Sequence, residues 1–229
     1  QPAWCAPEVE DLSPGVCHVD GGQRGDRRVL VIFLHGAIAQ GTTWQWTQER
    51  ALLRQAREGG FEAIFPRAPL GPGGYLWPGS VKAQEQEEDE IASGWRAARA
   101  LLEERSGRPF DDVFVMGFSS GAYFASSLAL RGRLDDVDGY AVFAGGAAYP
   151  QRAGSAVHPL PVFVGVCAED RQTAGDSRSV GAALAARGWA HRVDEERVGH
   201  MFSDIHVLHA AAYLRAAAAR AKRPRAVDR

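Results

Sequence analysis

Three residues of this chain could together do nucleophilic chemistry on an acyl carbon: Ser119, Asp170 and His200. A serine hydroxyl is unreactive without a neighbouring base. A histidine can take its proton and return it to a leaving group. An aspartate can hold the imidazole tautomer and stabilise the imidazolium. The setting of Ser119 suits its task. It lies in Gly117-Phe118-Ser119-Ser120-Gly121, after the apolar run Val113-Phe114-Val115-Met116 and before the small-residue stretch from Ala122 to Leu130. That reads as strand, sharp turn and helix, an arrangement that lifts a serine hydroxyl out of a sheet. Side chains at Gly117 and Gly121 would obstruct so tight a turn. In a chain with 26 glycines the pentapeptide alone is weak evidence, and the strand and helix around it make it stronger.

Asp170 follows the apolar run Val162-Phe163-Val164-Gly165-Val166-Cys167, and His200 follows the last strand candidate in Val198-Gly199-His200-Met201-Phe202. Glu169 and Asp176 are the rival acids, and Asp176 is better placed to cap the helix expected from Ser177. Among the rival histidines, His191 sits inside a strand and His206 and His209 lie on the final helix, so His200 alone has a strand-loop-helix setting. A tetrahedral oxyanion wants two backbone N–H groups. Ser120 supplies one. The loop opened by His35-Gly36 should supply the other, from Ala37 or alternatively Ile38, with His35 as a ring that shapes the turn. Trp44, Trp46, Tyr75, Trp77 and Met201, with Ile38, are the candidate pocket walls.

The elements that must position these residues alternate along the chain. Arg28–Leu34 is a continuous apolar run, the mark of a strand buried on both faces. A helix is expected over Thr43–Glu58, stopped by Gly59-Gly60, and a strand over Phe61–Pro66. Arg67–Ser80, rich in Pro and Gly and carrying Tyr75 and Trp77, reads as a binding-site loop. A long helix follows over Lys82–Arg105, and its acidic run Glu85–Glu90 reads as a solvated face. Beyond the serine turn, strands are expected over Val137–Ala144, Pro161–Val166 and Ala190–Val198, with helices over Ser177–Ala186 and Ser203–Ala219. Such alternation implies α/β architecture, a doubly wound, mostly parallel sheet with helices on both faces in a single domain. Sites in these sheets form at the carboxyl ends of the strands, which is where the serine, acid, base and His35 turn all fall.

The remaining features narrow the class. The 229 residues suit one large domain (26–220), preceded by an N-terminal extension (1–25) with a short strand at Gly15–Val19 and followed by a solvated basic tail (221–229). A net charge of −2 gives no electrostatic case for nucleic acid, and no apolar run is long enough to span a membrane. No Cys/His spacing resembles a metal site. Cys5 and Cys17 are close enough to close a short loop, while Cys167 suits a buried thiol. One disulfide and one core cysteine slightly favour a secreted or periplasmic location over the cytoplasm. The start at Gln1 is what a removed signal peptide or a cloning boundary would leave.

The sequence resembles the α/β-hydrolases, and most of all the carboxylesterase/phospholipase group that includes the acyl-protein thioesterases. The matching pieces are Val31-Ile32-Phe33-Leu34-His35-Gly36, Phe65-Pro66-Arg67-Ala68-Pro69, Leu76-Trp77-Pro78, Gly117-Phe118-Ser119-Ser120-Gly121-Ala122 and Gly199-His200. The resemblance implies hydrolysis of carboxylic esters or thioesters through an acyl-enzyme, with no cofactor. It implies Ser119 as nucleophile, Asp170 as acid, His200 as base, and Ala37 and Ser120 as oxyanion donors. Two departures stand out. The family often has Gln-Gly-Gly after the serine, where this chain has Ser120-Gly121-Ala122. It often has a Pro-containing stretch after the acid, where this chain has Arg171-Gln172-Thr173. The Cys5/Cys17 extension is also untypical of cytosolic thioesterases and keeps the secreted polyester- and feruloyl-esterase-like branch open. The expected partner is a small-molecule or lipid-like ester, handled by a monomer or weak homo-oligomer. Acyl transfer by the same residues is an alternative, and a non-catalytic binding protein is disfavoured by the intact set.

Overall fold

The computed structural model describes residues 2–148 and 158–222. The chain opens with β1 (Glu10–Ser13), β2 (Val16–Asp20) and β3 (Val29–Leu34), then α1 (Trp44–Gly59) and β4 (Glu62–Pro66). The small hairpin β5 (Leu70–Gly71) and β6 (Gly74–Tyr75) precedes α2 (Val81–Ser106). Strand, helix and strand follow as β7 (Asp112–Phe118), α3 (Ser120–Arg131) and β8 (Gly139–Phe143). The last four elements are β9 (Val162–Cys167), α4 (Ala174–Ala186), β10 (His191–Glu196) and α5 (Asp204–Ala221).

Among the described residues the main sheet has eight strands in the order β1-β2-β4-β3-β7-β8-β9-β10. From β4 to β10 neighbouring strands are parallel, and β1 and β2 are added antiparallel at one edge. The doubly wound α/β sheet expected from the alternation is therefore present. The strand-forming part of the N-terminal extension belongs to the sheet itself. Strand β3 is buried at all six positions, and its residues alternate between two cores. Leu30, Ile32 and Leu34 face one core with α2, α3 and α4, while Val29, Val31 and Phe33 face the other with α1 and α5. The period-2 side-chain alternation of a strand thus divides one apolar run between two helical layers. At the far edge, β10 is polar (His-Arg-Val-Asp-Glu-Glu) and only partly buried, as suits a strand paired on one side. Among the described residues no helix is long and apolar enough to cross a membrane.

Several expectations need correction. The acidic run on α2 is not wholly solvated. Glu88 is buried and accepts from Arg131 at 2.6 Å and Arg133 at 2.5 Å, because α3 and the turn after it bring two cations over that face. Helix α4 starts three residues earlier than expected, with Thr173 at its N-cap. Asp176 therefore lies inside the first turn, where Oδ2 accepts from the Tyr123 hydroxyl at 2.5 Å. Strand β1 and the β5–β6 hairpin had no counterpart in the sequence reading. In the basic tail, Lys222 is docked by Asp112 at 3.0 Å and Asp138 at 2.8 Å. Residues 223–229 of that tail lie outside the described residues.

Candidate active site

Strand register brings the chemistry together. Leu34 of β3 is paired with Gly117 of β7, so the chain leaves both strands at the same edge. The His35-Gly36 turn and the Phe118-Ser119 turn are therefore neighbours. Phe118 of β7 pairs with Phe143, Phe143 with Gly165 of β9, and Cys167 with Glu196 of β10. The segments carrying Asp170 and His200 leave from that same edge.

The turn between β7 and α3 is as tight as its glycines imply. A Cβ on Gly117 would lie 2.2 Å from the Gly121 carbonyl oxygen, and one on Gly121 would lie 2.1 Å from the Leu34 carbonyl oxygen. Ser119 sits at φ 52°, ψ −117°, outside the regions ordinary side chains favour. Backbone bonds on both sides hold it there. Its N–H donates to Phe143 O at 2.9 Å, and its own carbonyl accepts from Ala122 N–H at 2.9 Å.

The three side chains form a continuous hydrogen-bonded line. His200 Nε2 is 3.0 Å from Ser119 Oγ, and His200 Nδ1 is 2.6 Å from Asp170 Oδ2. With Nδ1 protonated, the ring donates to the carboxylate and Nε2 is left to accept from the serine. Asp170 is buried. Burial alone would raise its pKa, but bonds from the Thr173 hydroxyl, His200 and the Gln172 N–H hold the carboxyl down at about 2. Arg171-Gln172-Thr173, the departure from the family pattern, thus supplies three donors to Asp170, the N–H groups of Gln172 and Thr173 and the Thr173 hydroxyl. The loops carrying acid and base are tied directly, Glu169 N–H donating to Val198 O at 3.1 Å and the Cys167 thiol to Met201 O at 3.5 Å. The Phe118 ring lies 5.2 Å from the imidazole, centroid to centroid.

The loop after β3 is held from beneath. His35 is fully buried, and burial depresses its pKa to about 4, so the ring is neutral. Its Nδ1 donates to Gly36 O at 2.5 Å and its Nε2 accepts from Ala68 N–H at 3.0 Å. A Cβ on Gly36 would lie 3.0 Å from the Phe118 ring and 3.3 Å from Ser119 Cβ, so any larger residue would require the ring to shift by a few tenths of an ångström for this loop to lie against the serine. Ala37 follows at the exposed mouth of the loop, and Ser120 is the first residue of α3. Among the described residues no acceptor takes either N–H, as expected of a helix start and an open turn.

The pocket candidates divide. Trp44 and Met201 are exposed and line a cavity of about 830 Å³ that His200 also borders. Trp77 is buried instead, stacked on Phe124, with its indole N–H given to His35 O. Its backbone N–H donates to Ser120 Oγ at 3.3 Å. Ile38 is also buried, its backbone bonded to Tyr75. Trp46 is turned toward the N-terminal segment and donates to Trp4 O at 3.2 Å. The rival residues have other employment. His191 bonds Trp189 O, His206 stacks on Phe143, and His209 pairs with Asp194. Phe118, Phe202 and Ile205 were missed as cavity residues. Phe202 could have been suspected from its place two residues after His200. Among the described residues no cluster of three or more His, Cys, Asp or Glu side chains is placed to hold a metal ion.

The parallel sheet, with its serine turn and the acid and base loops at one edge, defines an α/β-hydrolase. More particularly, the chain belongs to the dienelactone hydrolase family, whose model matches residues 80–224, more than half its length. Solved structures share the fold at low identity. A carboxylesterase from Mesorhizobium loti is 18% identical with a TM-score of 0.64, over 87% of this chain and 93% of that one. YahD, solved with malic acid, is 17% identical with a TM-score of 0.63, over 88% and 99%. SOBER1 from Arabidopsis thaliana is 16% identical with a TM-score of 0.57, over 82% and 98%. No curated protein matches the chain.

Proposed function

We propose that the protein hydrolyses carboxylic esters through a Ser119 acyl-enzyme, with His200 as general base and acid and Asp170 as its orienting carboxylate. The observation that carries this reading is the unbroken line from Ser119 Oγ through His200 to Asp170, at 3.0 and 2.6 Å. In acylation Oγ bonds to the carbonyl carbon and its proton passes to Nε2. Collapse of the tetrahedral intermediate breaks the bond to the alcohol oxygen, which takes that proton. Water repeats the sequence in reverse and frees the acid. The N–H groups of Ala37 and Ser120 would receive the oxyanion. The paired Cys5 and Cys17 support a secreted or periplasmic setting.

A fluorophosphonate probe tests the reading. Wild type should be labelled at Ser119 and should release acid from p-nitrophenyl esters, while Ser119→Ala should do neither. Equal labelling of the two proteins, or of neither, rejects the assignment.

A further inference from the structure

The cavity beside His200 says which half of an ester it receives. Its walls include His200 and Phe118, but neither Ala37, Ser119 nor Ser120. It therefore meets the proposed mechanism at the imidazole, and another of its walls, Gln48, accepts from the Gly36 N–H at 3.0 Å. In the tetrahedral intermediate the leaving oxygen must come within hydrogen-bond reach of Nε2, at roughly 2.6–3.2 Å, to take its proton. Whatever is bonded to that oxygen extends past the imidazole, into the space that His200 borders. The oxyanion of the same intermediate goes to the N–H groups of Ala37 and Ser120 in the proposed mechanism.

The chemistry of the walls names the occupant. Trp44 is 62% exposed, Met201 49% and Ile205 54%, three large apolar side chains around one cavity, with Phe118 and Phe202 deeper in. The cations at the rim are already engaged, Arg50 with Glu8 and Arg54 with Asp204. Of the carboxylates, Asp204 pairs with Arg54, while Glu196 accepts from the Ser203 hydroxyl and would repel an anion, so the exposed apolar walls favour a neutral, hydrophobic group over an anionic one. Building on the proposed serine mechanism, we propose that this is the leaving-group site, and that the preferred substrates are esters of bulky apolar or arylalkyl alcohols, with Trp44, Met201 and Ile205 setting that preference.

The experiment uses two ester series on the full chain, followed by acid release. One holds the acyl group as acetate and varies the alcohol through methyl, butyl, hexyl and benzyl. The other holds methyl as the alcohol and lengthens the acyl chain from acetate to octanoate. The expected result is a rise in kcat/KM of about tenfold or more along the alcohol series, with a smaller change along the acyl series. Trp44→Ala and Met201→Ala, both at exposed positions, should each cost hexyl and benzyl acetate several-fold more than methyl acetate. Fluorophosphonate labelling of Ser119 is measured on every protein. Loss of labelling in the wild type rejects the serine mechanism, and this assignment with it. Labelling with no rise along the alcohol series, whether rates follow the acyl chain or stay flat, overturns the leaving-group site alone. So does a rise that both variants leave intact.

Discussion

The indole N–H of Trp77 donates to the backbone carbonyl of His35 at 2.9 Å. That carbonyl lies two residues before Ala37, the proposed oxyanion donor, while the backbone N–H of Trp77 reaches Ser120, the other. One buried tryptophan therefore braces both sides of the proposed oxyanion site without lining the cavity. Trp77→Phe keeps the stacked ring but leaves the His35 carbonyl unpaired. It should cost about 1–3 kcal/mol of stability, seen as a fall of roughly 2–10 °C in Tm. If the loop's position matters to catalysis, kcat should fall by about tenfold with KM nearly unchanged. An unchanged kcat in a folded Trp77→Phe protein would show that the brace is structural only.

Asp170 gives an acid-side prediction. Its carboxyl is held at about 2, below the ordinary 3.8, so the folded state binds its proton less readily than the unfolded chain. Its stabilisation is complete above the unfolded value and is lost as pH falls from there through about 2. The magnitude is on the order of 2 kcal/mol. Urea unfolding between pH 5 and pH 2 should show a steeper loss for wild type than for Asp170→Asn. At neutral pH that variant should retain its fold but lose on the order of 10³–10⁴-fold in kcat.

Glu49 behaves in the opposite sense. It is fully buried on α1, where burial raises its pKa to about 7 despite an N–H donated by Ala6 at 2.6 Å. The folded state now holds the proton more tightly than the unfolded chain, so stability falls as pH rises from about 4.5 through 7 and levels beyond. Glu49→Gln retains an acceptor for Ala6 without the charge. It should stabilise the protein at pH 8 by on the order of 2–3 kcal/mol and change little at pH 4. Equal denaturation midpoints for the two proteins at pH 8 would contradict this.

The bond between Cys5 and Cys17 joins positions 12 apart in the sequence and fastens the N-terminal segment to β2. There Trp4 packs on His35 and Tyr75, and its carbonyl accepts from Gln45 and Trp46 on α1. Replacing both cysteines with alanine should lower stability by about 2–3 kcal/mol. A reductant should lower the wild-type Tm by a similar amount and leave the double variant unaffected.

Much of the frame was legible because burial on both faces leaves a plain trace. Strands β3 and β9, and β7 from Val113 onward, are unbroken runs without a charged or polar side chain, and the turns after them carry residues that a connection alone does not require. Strand β1 (Glu-Asp-Leu-Ser) and the two-residue strands β5 and β6 left no such trace. Each is short and polar or glycine-rich, and forms only because a partner lies alongside.

Chain order and local pattern alone determined a parallel α/β sheet and the succession of Ser119, Asp170 and His200 at strand ends. Both follow from short-range rules, the side-chain period of strands and the sterics of a strand-to-helix turn. Only the tertiary structure decided what surrounds those residues. Trp44 at a helix start and Trp77 in a loop were both candidate pocket walls, yet one faces a cavity and the other braces a carbonyl. Glu88 and Glu90 belong to one acidic run, yet only Glu88 meets Arg131. These outcomes depend on where segments forty or more residues away come to rest. A side chain's fate in the fold is set by those distant neighbours, whereas its tendency to form strand, turn or helix is set by the near ones.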